Sequence, residues 1–226
     1  MPADAHQCKR GPIAIDGPAA SGKSTLGEAL AARLGMAFLD TGLMYRAFTL
    51  AAIERGVPAT DHEACGTLAA TVSITAEAAG TTRILVDGRD VTARLREPAV
   101  EDAVSSYSAI PAVREALVAQ QRAAASGGAF IVAGRDIGTV VLPDAPVKLF
   151  LTASEETRAE RRARQAAERG QSASLANIRQ RDQIDTSRGV SPLRPASDAI
   201  VLDTTAMTFD EVLAAALRVL GCDGDS

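Results

Sequence analysis

Lys23 and Ser24 end the run Gly17-Pro18-Ala19-Ala20-Ser21-Gly22-Lys23-Ser24, and Thr25 follows. Gly17 and Gly22 let the backbone curl until its N–H groups point inward. A helix opening behind the run adds its positive end, and a lysine at this position reaches the outer phosphates of a nucleoside triphosphate. Residues 17–25 are therefore expected to bind the donor, with Lys23 catalytic and Ser24 placed to ligate magnesium. Context supports this: the apolar strand-like stretch 12–16 precedes the run and a helical pattern follows it. A glycine-rich turn that only reversed the chain would not require lysine, and this chain has only Lys9, Lys23 and Lys148.

Four further groups carry chemistry. Asp40-Thr41-Gly42 with Tyr45-Arg46 follows the apolar stretch 37–39, and Gly134-Arg135-Asp136 follows 129–133. Both fall where open α/β sheets bind ligands. Ser105 and Arg114 flank Pro111. Arg181, Asp185 and Arg188 are spaced by four and three residues, which puts them on one helix face. One phosphate loop binds one nucleotide, so the additional arginines call for a second anion.

These residues need a scaffold. Apolar runs at 12–16, 37–39, 129–133, 147–151 and 199–203 alternate with helical patterns, which predicts an α/β fold with a parallel sheet of about five strands covered by helices. The first helix repeats Leu26, Leu30 and Leu34 and stops at Gly35; a second runs from about Leu43 to Arg55. The last begins with Thr208 and Glu211 in capping-box spacing. Nearly ninety residues between the second and third strands are too many for an ordinary crossover, so an insertion is expected. In it, 71–92 reads as a small antiparallel sheet turning at Asp87-Gly88, followed by helices at about 97–107 and 111–126. Residues 154–194 read as two helices broken near Gly170-Gln171-Ser172, forming a mobile lid on the phosphate-loop side. The expected division is a core of 12–60, 127–153 and 195–221, an insertion of 61–126, a lid of 154–194, and flexible tails at 1–11 and 222–226.

Composition narrows the partners. At 226 residues and 46% hydrophobic content the chain can bury a full core. No apolar stretch approaches the roughly 18 residues of a membrane span, and residues 1–11 lack the apolar segment of a secretory signal, so a cytoplasmic protein with no membrane partner is expected. A net charge of −4 with 3% aromatic content argues against a nucleic-acid surface. The lid departs from that balance, with nine arginines against six acids in 151–194, which suits contact with phosphates. Cys8, Cys65 and Cys222 are odd in number and widely spread, and are expected as free thiols. His6 and His62 are the only histidines, so a histidine-based mechanism is not expected.

Taken together, the residues closely resemble the bacterial cytidylate kinases, of the nucleoside monophosphate kinase group. The resemblance is carried by Ile15-Asp16-Gly17-Pro18 through Ser24-Thr25, Leu39-Asp40-Thr41-Gly42 with Tyr45-Arg46, and Pro111-Ala112-Val113-Arg114 with Gln121-Arg122. It continues through Gly134-Arg135-Asp136-Ile137-Gly138-Thr139-Val140-Val141, Pro143-Asp144-Ala145-Pro146-Val147-Lys148, and Arg181 to Ser191-Pro192-Leu193. It implies a P-loop kinase core with a monophosphate-binding insertion and a helical lid, magnesium, ATP as donor, and CMP or dCMP as acceptor, acting as a monomer. It also implies that Arg46, Arg135 and Arg188 hold the acceptor phosphate, Arg181 and Asp185 reach the ribose, and Thr41, Tyr45, Ser105, Arg114 and Asp136 surround or read the base. Guanidinium forks match phosphate oxygens in pairs, and a carboxylate accepts from cytosine's exocyclic amine as it could not from a uracil carbonyl. Arg158 and Arg161, at the start of the lid, are candidates for donor contact. The sequence departs at Ala133, where the family usually has an acid, leaving Asp16 to reach magnesium through water, and at Ile184, where relatives can carry arginine.

Because the acceptor is an ionised phosphate oxygen, transfer needs alignment and charge neutralisation rather than a general base. Rival readings are a kinase of the same architecture acting on UMP, AMP or a non-nucleotide such as shikimate, and a regulatory NTPase.

Overall fold

The computed structural model describes residues 11–79, 81–127, 129–168 and 175–222, and of residues 78, 79, 81, 175–178 and 181 the backbone alone. Five parallel strands form the central sheet: β1 (Ile13–Asp16), β2 (Ala37–Asp40), β6 (Phe130–Gly134), β7 (Val147–Thr152) and β8 (Ile200–Asp203), ordered β2-β6-β1-β7-β8. β1, β6 and β7 run as short apolar stretches because both faces are covered, whereas Ile200 and Val201 of the edge strand β8 are exposed. Side chains alternate between the faces: Ile13, Ile15, Ile131 and Ala133 enter one apolar cluster, Ala14 and Val132 the other.

The first cluster is closed by α1 (Lys23–Leu34) and α8 (Phe209–Leu220), through Leu26, Leu30, Val212, Ala216 and Leu220. α1 ends at Gly35 in the left-handed conformation, and α8 starts with the expected capping box of Thr208 and Glu211. Gly27 allows α1 to lie against β2, since a Cβ there would stand 2.2 Å from the Phe38 ring. The other cluster is closed by α2 (Thr41–Glu54) and the insertion. α2 starts two residues earlier than its apolar pattern suggests, because the Asp40 carboxylate accepts the Gly42 N–H and caps it.

The insertion comprises α3 (His62–Thr71), a three-stranded antiparallel sheet of β3 (Ile74–Ala79), β4 (Thr81–Val86) and β5 (Arg89–Asp90), and α4 (Pro98–Ser108) and α5 (Pro111–Ala125). Pro111 opens α5 at its first position, as expected. After β6 comes a single π-helical turn, Ile137–Val141, that no sequence periodicity announced. The segment expected as a lid forms two helices, α6 (Glu155–Ala167) and α7 (Leu175–Ser187). The expected break at 170–172 lies outside the described residues, as do 1–10 and 223–226 of the expected tails and His6 and Cys8.

Cys65 is buried and free, whereas Cys222 is disulfide-bonded, which corrects the expectation of free thiols at that end of the chain. Cysteine spacing along a chain does not reveal which segments meet in space. No helix among the described residues is long and apolar enough to cross a membrane.

Candidate active site

The loop between β1 and α1 lies at the carboxyl end of the sheet. Gly17 and Gly22 adopt φ of 147° and 96°, and a Cβ on Gly17 would lie 2.1 Å from the Leu151 carbonyl oxygen, so the loop fits against β7 only with glycine there. Gly22 caps α1 without a side-chain oxygen that would compete for its first amides. Lys23 is buried, its ammonium donating to the Pro18 carbonyl at 2.6 Å and the Ser21 hydroxyl at 3.3 Å. Burial first, and Arg135 second, hold Lys23 well below the usual lysine range. A polyphosphate beside it works the other way, so donor binding and Lys23 protonation favour each other.

Ser24 donates to the Asp40 carboxylate at 2.7 Å. Asp40 was legible only as part of a motif; the structure makes it the acid beside Ser24, and its register partner across the sheet is Ala133. The carboxylate sought at 133 thus stands one strand away. Ala133 itself is buried in the apolar cluster, and its carbonyl accepts from the Thr41 hydroxyl at 2.9 Å. Asp16 faces elsewhere: its two carboxylate oxygens each accept a backbone N–H at 2.7 Å, from Ile137 and Gly138. Burial foremost, with Asp136 adding to it, pushes Asp16 up to about 6 against the lowering effect of those two N–H bonds. Its visible work is to pin the π-helical turn that follows Gly134-Arg135-Asp136. Among the described residues no group of three His, Cys, Asp or Glu side chains could hold a metal. The hard oxygen pair of Ser24 and Asp40 beside Lys23 nonetheless suits magnesium shared with a nucleotide's phosphates.

Three cavities meet at this end of the sheet. One of about 280 Å³ is lined by the loop with Ser24, Asp40, Arg46, Arg135 and Arg162. Another, of about 540 Å³, opens beside it between the loop, α6 and residues 204–209, with Arg161 on its wall. Arg161 donates to the Thr204 hydroxyl at 2.9 Å and its carbonyl at 2.7 Å. Arg158, expected beside it, lines neither of these. Its buried guanidinium donates to Ala153 and Ala19 carbonyls and pairs with Asp182, tying α6 to the loop and to α7.

The smallest cavity, about 90 Å³, gathers Thr41, Tyr45, Arg46, Ser105, Arg114, Arg135, Asp136, Asp185 and Arg188, every acceptor-side residue expected from the sequence except Arg181. The side chain of Arg181 lies outside the described residues. Charges alternate through this cavity: Arg114 meets Asp136 at 2.5 Å, Asp136 lies 3.8 Å from Arg188, Arg188 lies 3.5 Å from Asp185, and Asp185 accepts from Arg135 at 2.8 Å. The Arg114 guanidinium lies over the Tyr45 ring, 5.4 Å from its centroid. Burial, then Arg114, lower Arg188 from its ordinary value, and its Nη2 has no hydrogen-bond partner. Arg46 and Arg135 line both this cavity and the phosphate-loop cavity.

The profile described as cytidylate kinase matches residues 13–221. The chain belongs to the cytidylate kinase family. It is 50% identical over 207 residues to a cytidylate kinase of Pelotomaculum thermopropionicum, covering 89% of this chain and 92% of that relative. Cytidylate kinases of Rhodococcus opacus and Mycolicibacterium paratuberculosis are 47% and 50% identical, over 92% and 89% of this chain and 93% and 91% of theirs. Beside the site of this cytidylate kinase stands a residue that spacing did not reveal, Glu101. It is a buried acid on α4 that pairs with Arg46 at 2.7 Å, with Arg162, and with Arg96 at 4.0 Å. A glutamate on an amphipathic helix carries no signal that separates it from a solvated one.

Proposed function

We propose that this cytidylate kinase transfers the γ-phosphoryl group of ATP to CMP or dCMP, working as a cytoplasmic monomer. The observation carrying this reading is that Arg46 and Arg135 line two cavities at once, one built by a phosphate loop and the other by a carboxylate and a guanidinium suited to a cytosine edge. Groups shared in this way bridge a donor and an acceptor phosphate. A single chain supplies all of them, which supports a monomer as the working unit.

In this reading Lys23 and the loop amides grip the donor's β- and γ-phosphates, while the 540 Å³ cavity takes its base and sugar. Ser24 and Asp40 would hold magnesium, which would supply charge neutralisation to the phosphates. Arg46, Arg135 and Arg188 hold the acceptor phosphate in line, each as a two-pronged donor. Asp136 accepts from the cytosine amine and Arg114 donates to the ring nitrogen or carbonyl; the pair is held taut because each is the other's buried counter-ion. Asp185 serves the ribose. Uracil would face Asp136 with a carbonyl, and an unpaired buried acceptor costs about 1–3 kcal/mol. The acceptor oxygen is already ionised, so transfer needs no histidine base. The lid excludes water from the aligned phosphates.

The test is a panel of CMP, dCMP, UMP and AMP with ATP and magnesium, scored by ADP release. CMP and dCMP are expected to be phosphorylated at least tenfold faster than UMP and AMP. Preference for UMP or AMP would move the assignment to a sister kinase.

A further inference from the structure

Glu101 joins parts of the molecule that belong to different jobs. It projects from α4 in the insertion and is 9% exposed. Its carboxylate meets Arg46, from α2, and Arg162, from the lid helix α6, with Arg96 at the edge of ion-pair range. The side chains of Arg46, Arg162 and Glu101 are only 11%, 18% and 10% exposed, so water screens these pairs weakly. Arg46, Arg96 and Arg162 all line the phosphate-loop cavity, and Arg46 continues into the acceptor cavity. One carboxylate therefore spans the acceptor-phosphate arginine and the lid.

Three guanidinium groups crowded at a half-buried point repel one another unless an anion lies between them. A carboxylate can accept from two sides at once. A glutamine of the same shape could accept only at its oxygen, and it would turn an NH2 group toward one of the arginines. We propose that Glu101 is a positioning residue that couples the lid to the acceptor-phosphate site by holding Arg46 and Arg162 in a single arrangement. When the lid settles over the donor, Arg162 carries Glu101, and through it Arg46, into register for the acceptor phosphate. By reciprocity, acceptor binding steadies the lid. The inference rests on the functional reading above, because it takes CMP and ATP as the two ligands.

The coupling is read by titration calorimetry. The Kd of CMP is measured with and without saturating magnesium β,γ-methylene-ATP, and the ratio of the two values is the coupling. The full chain is expected to show a coupling of about tenfold, within the usual range for linked sites. Glu101→Gln is expected to reduce it at least fivefold, as is Arg162→Gln, which breaks the tie from the lid side. Glu101→Asp, which keeps the charge on a shorter arm, is expected to recover part of it. Circular dichroism melts establish that each variant is folded. An unchanged ratio in Glu101→Gln overturns the proposal, even if CMP binds more weakly, because a merely structural or simple binding role lowers both Kd values' affinities equally. A wild-type ratio of one overturns it too. Failure of the wild-type chain to bind CMP at all would instead overturn the functional reading.

Discussion

Arg114 and Asp136 are a pair whose two members cannot be removed with equal consequences. Both are nearly inaccessible, at 2% and 6% of their side-chain surface, so deleting Arg114 strands a buried carboxylate at a cost of about 3–5 kcal/mol. Arg114→Met should thus lower the melting temperature as well as CMP turnover. Asp136→Asn keeps the shape and presents an amide that a uracil carbonyl accepts from. It should narrow the CMP-to-UMP ratio of kcat/KM by roughly tenfold or more, in line with about 1–3 kcal/mol for one mispaired buried group. An unchanged ratio in steady-state assays would take base reading away from Asp136. Arg188→Ala should slow phosphoryl transfer at least tenfold, since a charge-assisted phosphate contact is worth about 1.5–3 kcal/mol. Asp16 adds a pH signature. Its carboxyl is raised from 3.8 to about 6 by burial, so the folded chain holds this proton more tightly than the unfolded one. Its contribution to stability is full below the unfolded value and is lost as pH rises through about 6. Melting temperatures of wild type and Asp16→Asn should therefore diverge in favour of wild type as pH falls from 7.5 toward 5; parallel profiles would place the proton elsewhere.

At the scale of elements, the parts legible in the sequence were those written in local pattern. The five strands appear as apolar runs, in β1, β6 and β7 because both faces are covered, and helix ends at Gly35, Pro111 and Thr208 follow from backbone chemistry that needs only a few neighbours. What escaped depends on distant contacts. Asp16 caps amides 121 and 122 residues away, Ser24 of α1 meets Asp40 at the end of β2, and Glu101 collects arginines from three segments. No spacing rule links such positions. The same distinction explains Arg158: its type suited the donor, but burial between α6, α7 and the loop gives it a structural tie. Close approach of α1 to β2 gives a further prediction. Gly27→Ala gains about 1 kcal/mol of helix propensity but forces the buried Phe38 ring aside, and overpacking of this kind costs about 1–3 kcal/mol. The 2.2 Å approach places it at the upper end, so a net loss of a few degrees in melting temperature is expected, and a gain would mean that β2 yields easily.

For the whole molecule, the sizes of the cavities matter most. The acceptor cavity, at about 90 Å³, is well below the roughly 300 Å³ at which small-molecule sites usually begin, so movement of α7, whose Asp185 holds Arg135, is expected on acceptor binding. Amide exchange in α6 and α7 is expected to exceed that of β1 and β6 in the free chain and to slow when both nucleotides are added; exchange indifferent to nucleotide would argue against a moving lid. In the proposed reading the sheet fixes Lys23, Ser24, Asp40, Arg135 and Asp136, and the insertion and lid bring the remaining arginines to them. The central claim is that this assembly passes phosphate from one nucleotide to another and not to water. Phosphorus NMR of purified protein with ATP, magnesium and CMP tests it most directly: one CDP should appear for each ADP, with ATP nearly inert when CMP is withheld. ADP accumulating without CDP would contradict it.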